Sequence, residues 1–176
     1  QLPGGWLLDR FGSRRVYGVS IFFWSLFTLF QGTIGFLAGA AAITAMFALR
    51  FLVGIAEAPS FPANSRIVAA WFPANERGTA AAICNAAHDS ATVIFAPLMG
   101  WLVHSFGWHS VFVVMGVLGI AMALAWRLFM KDPKDHPRVN RAEIEYIEAG
   151  GGLVDLDRGQ RSPLAQVVRD APQHQT

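Results

Sequence analysis

No Lys, Arg, Asp or Glu occurs from Val16 to Leu49, nor again from Ser90 to Trp126. A helix crossing about 30 Å of hydrocarbon needs roughly 20 apolar residues at about 1.5 Å rise each, so each stretch has room for two crossings. A helix in lipid satisfies its own backbone hydrogen bonds, whereas a soluble domain would have to bury all of this apolar surface. Composition agrees: 53% of the 176 residues are hydrophobic and 15% are charged, against about 25% charged in soluble domains. We therefore expect an all-α chain, a polytopic transmembrane helical bundle. Its helices are placed near 16–34, 41–72, 78–103 and 108–130, the second overlong and so tilted or bent.

The basic residues predict which ends face the cytoplasm, because Lys and Arg resist translocation. Of the fourteen Lys and Arg, all but Arg50 lie around Asp9 to Arg15, around Arg66 to Arg77, or after Trp126. The turns near 35–40 and 104–110 have none. These groups alternate along the chain, which predicts four crossings with both ends cytoplasmic. The pI near 9.1 then reflects topology and not nucleic-acid binding. No signal peptide is apparent, and residues 1–8 read as the last two turns of an earlier crossing, so the sequence is expected to continue upstream. Cys84 is the single cysteine, which excludes a disulfide framework and reads as a small packing residue. His104 and His109 fall in an expected external loop, where solvation is the simplest role. The six Trp lie mostly at helix ends, as interfacial anchors do.

The chain divides at residue 130. Residues 1–130 carry the helices, and 131–176, rich in charge, Pro and Gly, read as a cytoplasmic connection. Asn140 with Glu143 makes a capping-box pattern, so a short helix is expected over 141–149, with Ile144 and Ile147 on one side against the membrane or the bundle. Gly150 to Gly152 lack the Lys-Ser/Thr of a phosphate loop and read as a flexible linker. The remainder to Thr176 has no periodicity.

Two ionisable residues fall inside the second helix. A charged group at bilayer depth costs about 3 kcal/mol or more on insertion scales, so Arg50 and Glu57 require a reason. Seven residues is just under two turns, placing both on nearly one face roughly 10 Å apart, and Asn64 continues the spacing. Such a stripe faces a wet cavity or another polar helix. On the next helix Asn85, His88, Asp89 and Thr92 share a face at spacings of three and four. Two polar faces imply a shared cavity. Pro59 and Pro62 remove two backbone donors between Glu57 and Asn64, a break of the kind that transporters use for binding. Arg50 and Glu57 form either a structural ion pair or a coupling pair, in which Glu57 loads and releases a proton as Arg50 engages and leaves it. His88 and Asp89 admit structural hydrogen bonding equally.

The run Gly5, Trp6, Leu7, Leu8, Asp9, Arg10, Phe11, Gly12, Ser13, Arg14, Arg15 resembles the signature loop between helices 2 and 3 of the major facilitator superfamily. Physically it is a basic turn; the resemblance makes Gly5, Asp9, Arg10, Gly12, Arg14 and Arg15 a gating latch. A narrower match runs from Arg50 to Asn64 (RFLVGIAEAPSFPAN) and from Ala70 to Gly78 (AWFPANERG), with residues 96–101 and 150–155 adding to it. These resemble the anion:cation symporter family and its bacterial sugar-acid transporters, over nearly all of residues 1–157.

The resemblance implies helices 3 to 6 of the amino-terminal six-helix half, preceded by the end of helix 2 and followed by the central loop. It implies proton coupling through Glu57, with Arg50 in its charge network, and contact with the sugar acid at His88; together with the polar faces read above, the candidate substrate-binding residues are Arg50, Asn64, Asn85 and His88. His88 departs from the Gln usual at its position, and Asp89 is unexpected beside an anion site. The expected function is symport of a sugar acid such as glucarate or galactarate by alternating access, in the bacterial inner membrane, with the signature and central loops cytoplasmic. A membrane receptor that binds such an anion without moving it is the alternative. No cofactor and no metal are expected; a proton is the coupling ion, with sodium the other choice. The partners expected are the organic anion, membrane lipid and the carboxyl-terminal half of the same transporter, with no nucleic acid. An enzyme is not expected: no His-Glu-x-x-His or Gly-x-Ser-x-Gly occurs, and adjacent helical residues such as His88, Asp89 and Ser90 point apart and cannot form a triad.

Overall fold

The computed structural model describes residues 2–154 apart from 132. Among them the elements are α1 (Leu2–Phe11), α2 (Ser13–Gln31), α3 (Gly39–Glu57), α4 (Ser60–Trp71), α5 (Arg77–Phe106), α6 (Trp108–Phe129) and α7 (Arg141–Ala149), with single 3-10 turns at Ile34–Phe36 and Pro133–Asp135. The described residues contain no strand. The expectation for the unperiodic end of the chain falls on 155–176, outside the described residues.

Three segments, Ser13–Phe36, Gly39–Trp71 and Trp108–Phe129, are long and apolar enough to cross a membrane. α5 is the exception among the four crossings expected. Its 30 residues extend about 45 Å, yet Asn85, His88 and Asp89 interrupt its apolar run. The overlong second crossing is two helices: α3 ends at Glu57 and α4 begins at Ser60, because Pro59 cannot donate into the preceding turn. Gly4 of α1 lies against this break, where an added Cβ would stand 3.3 Å from the Pro59 Cα.

α2 and α6 pack most intimately, and small residues make the approach possible. A Cβ on Gly116 would come within 2.7 Å of the Leu29 Cα, and one on Gly32 within 2.8 Å of the Val113 side chain. Two hydroxyls of α2 are satisfied locally: Ser25 donates to the Ile21 carbonyl at 2.6 Å and Thr28 to that of Trp24 at 2.8 Å. Elsewhere large apolar side chains such as Phe47, Phe51, Ile55, Val93 and Phe129 are exposed, the surface lipid solvates. Leu8, Val16 and Ala63 form a buried cluster joining α1, α2 and α4.

The run containing Asp9 and Arg10 is not an extended loop. α1 continues through Phe11, and a single residue, Gly12 with φ 82°, turns the chain into α2. Gly107, also at φ 82°, makes the joint between α5 and α6 at the other end of the bundle. That joint leaves no loop for His104 and His109. His104 lies in the last turn of α5, and His109 in the first turn of α6, where its ring stacks on Trp108 at 3.6 Å and presses on Gly35.

The segment after α6 is organised as well. Asn140 caps α7 by accepting the Glu143 N–H at 2.8 Å. Ile147 is buried, but against this segment's own glycine turn and not against lipid. The flexible-linker expectation for Gly150 to Gly152 is corrected: these residues dock on the α4–α5 turn. Gly150 O accepts from Ala74 N at 2.8 Å, and Leu153 N donates to Ala69 O at 2.9 Å. Tyr146 donates to Glu76 at 2.6 Å, Lys134 pairs with Glu148 at 2.9 Å, and His136 meets Trp71 edge to face. Glycine is required because a Cβ on Gly150 would overlap Pro73 and one on Gly152 would stand 2.7 Å from the Ile147 carbonyl. Residues 133–154 thus strap the end of α6 to the α4–α5 turn.

Candidate functional site

The polar residues expected to form a site stand on exposed faces of α3, α4 and α5. Arg50 and Glu57 are both exposed on α3, and Asn64, beyond the break, is exposed on α4. No ion pair joins Arg50 to Glu57 among the described residues. The Arg50 guanidinium instead lies 5.7 Å from the centre of the Phe112 ring on α6, a cation–π distance. Asn85, His88, Asp89 and Thr92 are exposed along α5, with the Thr92 hydroxyl 3.4 Å from the His88 carbonyl.

Among the described residues, two cavities at different levels take in some of these residues. The first, of about 690 Å³, lies among the start of α3, the 3-10 turn after α2 and the start of α6; Arg50, Phe47, Trp108 and His109 line it. The second, of about 520 Å³, lies between α4 and α5 and brings Asn64 together with Asn85, Ser65, Cys84 and Arg77. Glu57, His88 and Asp89 line neither. Cys84 is exposed into the second cavity, which corrects its reading as a packing residue.

The basic motif fastens the helix ends. Asp9 accepts from Arg66 of α4 at 2.6 Å. Arg14 donates to the Arg127 carbonyl at 3.3 Å, and its own carbonyl accepts from the Trp126 indole at 3.1 Å. Trp126 also packs on Tyr17 at 4.7 Å between ring centres. Arg10 lies over the Trp6 ring at 5.3 Å. Gly12 is the hinge, while Gly5 has open space around it and Arg15 is exposed.

Sequence reasoning missed Trp108, His109 and Arg77. The signal for Arg77 was electrostatic: it is the first residue of α5, where the helix dipole disfavours a cation, so it needs acceptors from elsewhere. It finds three carbonyls, Ala69 O at 3.2 Å, Gly151 O at 2.7 Å and Phe72 O at 3.4 Å. No group of His, Cys, Asp and Glu among the described residues has the arrangement of a metal site.

Long apolar helices tied at a basic end, with exposed polar residues interrupting α3, α4 and α5, define a polytopic helical membrane protein. A family model described as Major Facilitator Superfamily matches residues 1–172, and the chain belongs to that superfamily. It is 64% identical over 157 residues to a Bacillus subtilis (strain 168) protein named "Probable galactarate/D-glucarate transporter", covering 89% of this chain and 34% of that one. An Escherichia coli (strain K12) protein of the same name is 61% identical over 158 residues, covering 90% and 35%. A "D-galactonate transporter" of Escherichia coli O6:H1 is 41% identical over 168 residues, covering 93% and 38%. The chain therefore spans about a third of the length of the curated relatives it matches.

Proposed function

We propose that this chain is part of a secondary active transporter that carries sugar acids such as glucarate or galactarate together with a proton, by alternating access. The observation that carries the reading is the presence of Arg50 and Glu57, both exposed, within the largely apolar α3, with Asn64 exposed beyond the break between Glu57 and Ser60. The printed names of the relatives supply the substrate class. Exposed ionisable groups on lipid-length helices require a polar partner, and the remaining two thirds of a relative's length would supply it. The reading includes the bacterial inner membrane as its location, with the end carrying Asp9, the α4–α5 turn and the strap in the cytoplasm; the clustering of basic residues at that end supports it.

In this mechanism Arg50 attracts the anion, and Glu57 carries the proton that offsets the charge brought in. Their separation of roughly 10 Å leaves both groups free to take other partners during the cycle. Asn64, Asn85 and His88 offer donors and acceptors to the hydroxyls of the substrate. The test is uptake of labelled glucarate by the full-length protein in vesicles under an imposed proton gradient, comparing the parent with Glu57→Gln. The parent accumulates glucarate and the variant loses accumulation driven by the gradient. Accumulation unchanged in the variant would remove Glu57 from coupling, and a parent driven by sodium alone would replace the proton.

A further inference from the structure

The cavity between α4 and α5 contains a cation whose role as a staple does not use its charge. The Arg77 guanidinium donates from Nε and Nη2 to the carbonyls of Phe72, Ala69 and Gly151, all uncharged acceptors. A guanidinium has five N–H donors and remains ionised at any physiological pH. Nη1 donates to nothing among the described residues, and no carboxylate there pairs with Arg77. The adjacent acid, Glu76, is engaged by the Tyr146 phenol and does not line the cavity. No Asp or Glu is among the lining residues, while two carboxamides and a hydroxyl are: Asn64, Asn85 and Ser65. The strap fixes the fork through Gly151 O, so its free edge is held in place before any ligand arrives.

We propose that Arg77, with Asn64 and Asn85, forms a subsite at the basic end of the bundle for the carboxylate of a polyhydroxylated acid. Arg77 takes the carboxylate through Nη1, and the carboxamides meet the adjacent hydroxyls. The volume of about 520 Å³ accommodates a six-carbon diacid. Carboxylate and guanidinium form the stronger class of hydrogen bond, and the α5 N-terminus adds to the attraction for an anion. The inference rests on the sugar-acid reading above and adds to it a second stop on the cytoplasmic side, well separated in sequence from Arg50.

Cys84 lines the same cavity and reports on it. In the full-length protein with Cys84 as its sole cysteine, alkylation by N-ethylmaleimide is followed in inside-out vesicles with and without glucarate. Glucarate is expected to slow labelling in the parent. In Arg77→Gln, half-protection is expected to need about tenfold more glucarate or worse, with Arg77→Lys in between. Asn85→Asp, which sets a competing carboxylate beside an intact Arg77, is expected to abolish protection as well. An unliganded labelling rate equal to the parent's shows that each variant is folded. Equal protection in Arg77→Gln overturns the subsite. So does a parent that takes up glucarate while Cys84 labelling is unaffected, the result expected if an acidic side chain from the rest of the transporter occupies Arg77. A parent that takes up no glucarate overturns the sugar-acid reading itself.

Discussion

The Tyr146 phenol donates to the Glu76 carboxylate at 2.6 Å across 70 residues of chain, and this contact ties the strap to the start of α5. The hydrogen bond to Glu76, then the negative charge of that carboxylate, hold the phenol proton and push its pKa above the ordinary tyrosine value. A raised pKa means that the contact favours docking throughout the range in which a free tyrosine is neutral. Its contribution is lost as pH rises through the raised value. A spectrophotometric titration, with Tyr146→Phe subtracted to isolate the signal, should show Tyr146 ionising at higher pH in the parent than in Glu76→Gln. The same midpoint in both would mean that the two side chains do not meet in solution.

The strap's glycines give a sharper test of whether it is docked. A Cβ on Gly150 overlaps Pro73, so Gly150→Val must part the strap from the α4–α5 turn or distort it. Overpacking of this kind costs about 1–3 kcal/mol, which corresponds to exchange roughly 5- to 150-fold faster for the amide protons that depend on docking. The Ala74 and Leu153 amides, which donate to Gly150 O and Ala69 O, are the ones to follow by hydrogen exchange. Unaltered protection at both would show that the strap adapts without loss.

These two contacts mark where the sequence stops being informative. The charge-free stretches and the alternating basic groups contain the helices, because lipid imposes its length and polarity on each segment separately. The cap at Asn140 is equally local, with its acceptor and donor three residues apart. Gly150 to Gly152 carry no such mark: three glycines look the same whether they are loose or are the only residues that fit against Pro73 and Ile147. Arg77 and Gly151 lie 74 residues apart, and no periodicity relates them. The polar residues of the candidate site were legible as costly exceptions on apolar helices. Their division between two cavities was not, since it depends on how α4 turns after Pro59 and where α6 meets α3.

The α2–α6 crossing predicts opposite outcomes for two glycines. Gly116 faces the Leu29 backbone, with an added Cβ 2.7 Å from its Cα and 2.8 Å from its nitrogen. Backbone cannot rotate away, so Gly116→Val should cost at least about 1–3 kcal/mol and lower the melting temperature in detergent markedly. Gly100, in α5, has nothing within 4 Å of an added Cβ. Gly100→Ala should be neutral or stabilise by up to about 1 kcal/mol, since it only removes backbone freedom from a helix. Similar melting shifts for both would contradict the close approach of α2 and α6.

Asp9 and Arg66 are unequal partners, and the inequality decides which loss is worse. The Arg66 side chain is 18% exposed and that of Asp9 69%, so Asp9 is largely hydrated while Arg66 is mostly removed from water. Exposed ion pairs are worth at most about 1 kcal/mol, but a partly desolvated cation deprived of a carboxylate keeps its desolvation cost. Asp9→Asn keeps an acceptor of reduced strength at position 9, and Asp9→Ala removes this one of the partners of Arg66. Thermal unfolding in detergent should therefore rank the parent above Asp9→Asn, and Asp9→Ala lowest. Added salt should narrow the gap only in part, because the buried side of the pair is poorly screened. A gap that closes completely in high salt would make this a surface contact and would remove the motif carboxylate as a tie between α1 and α4.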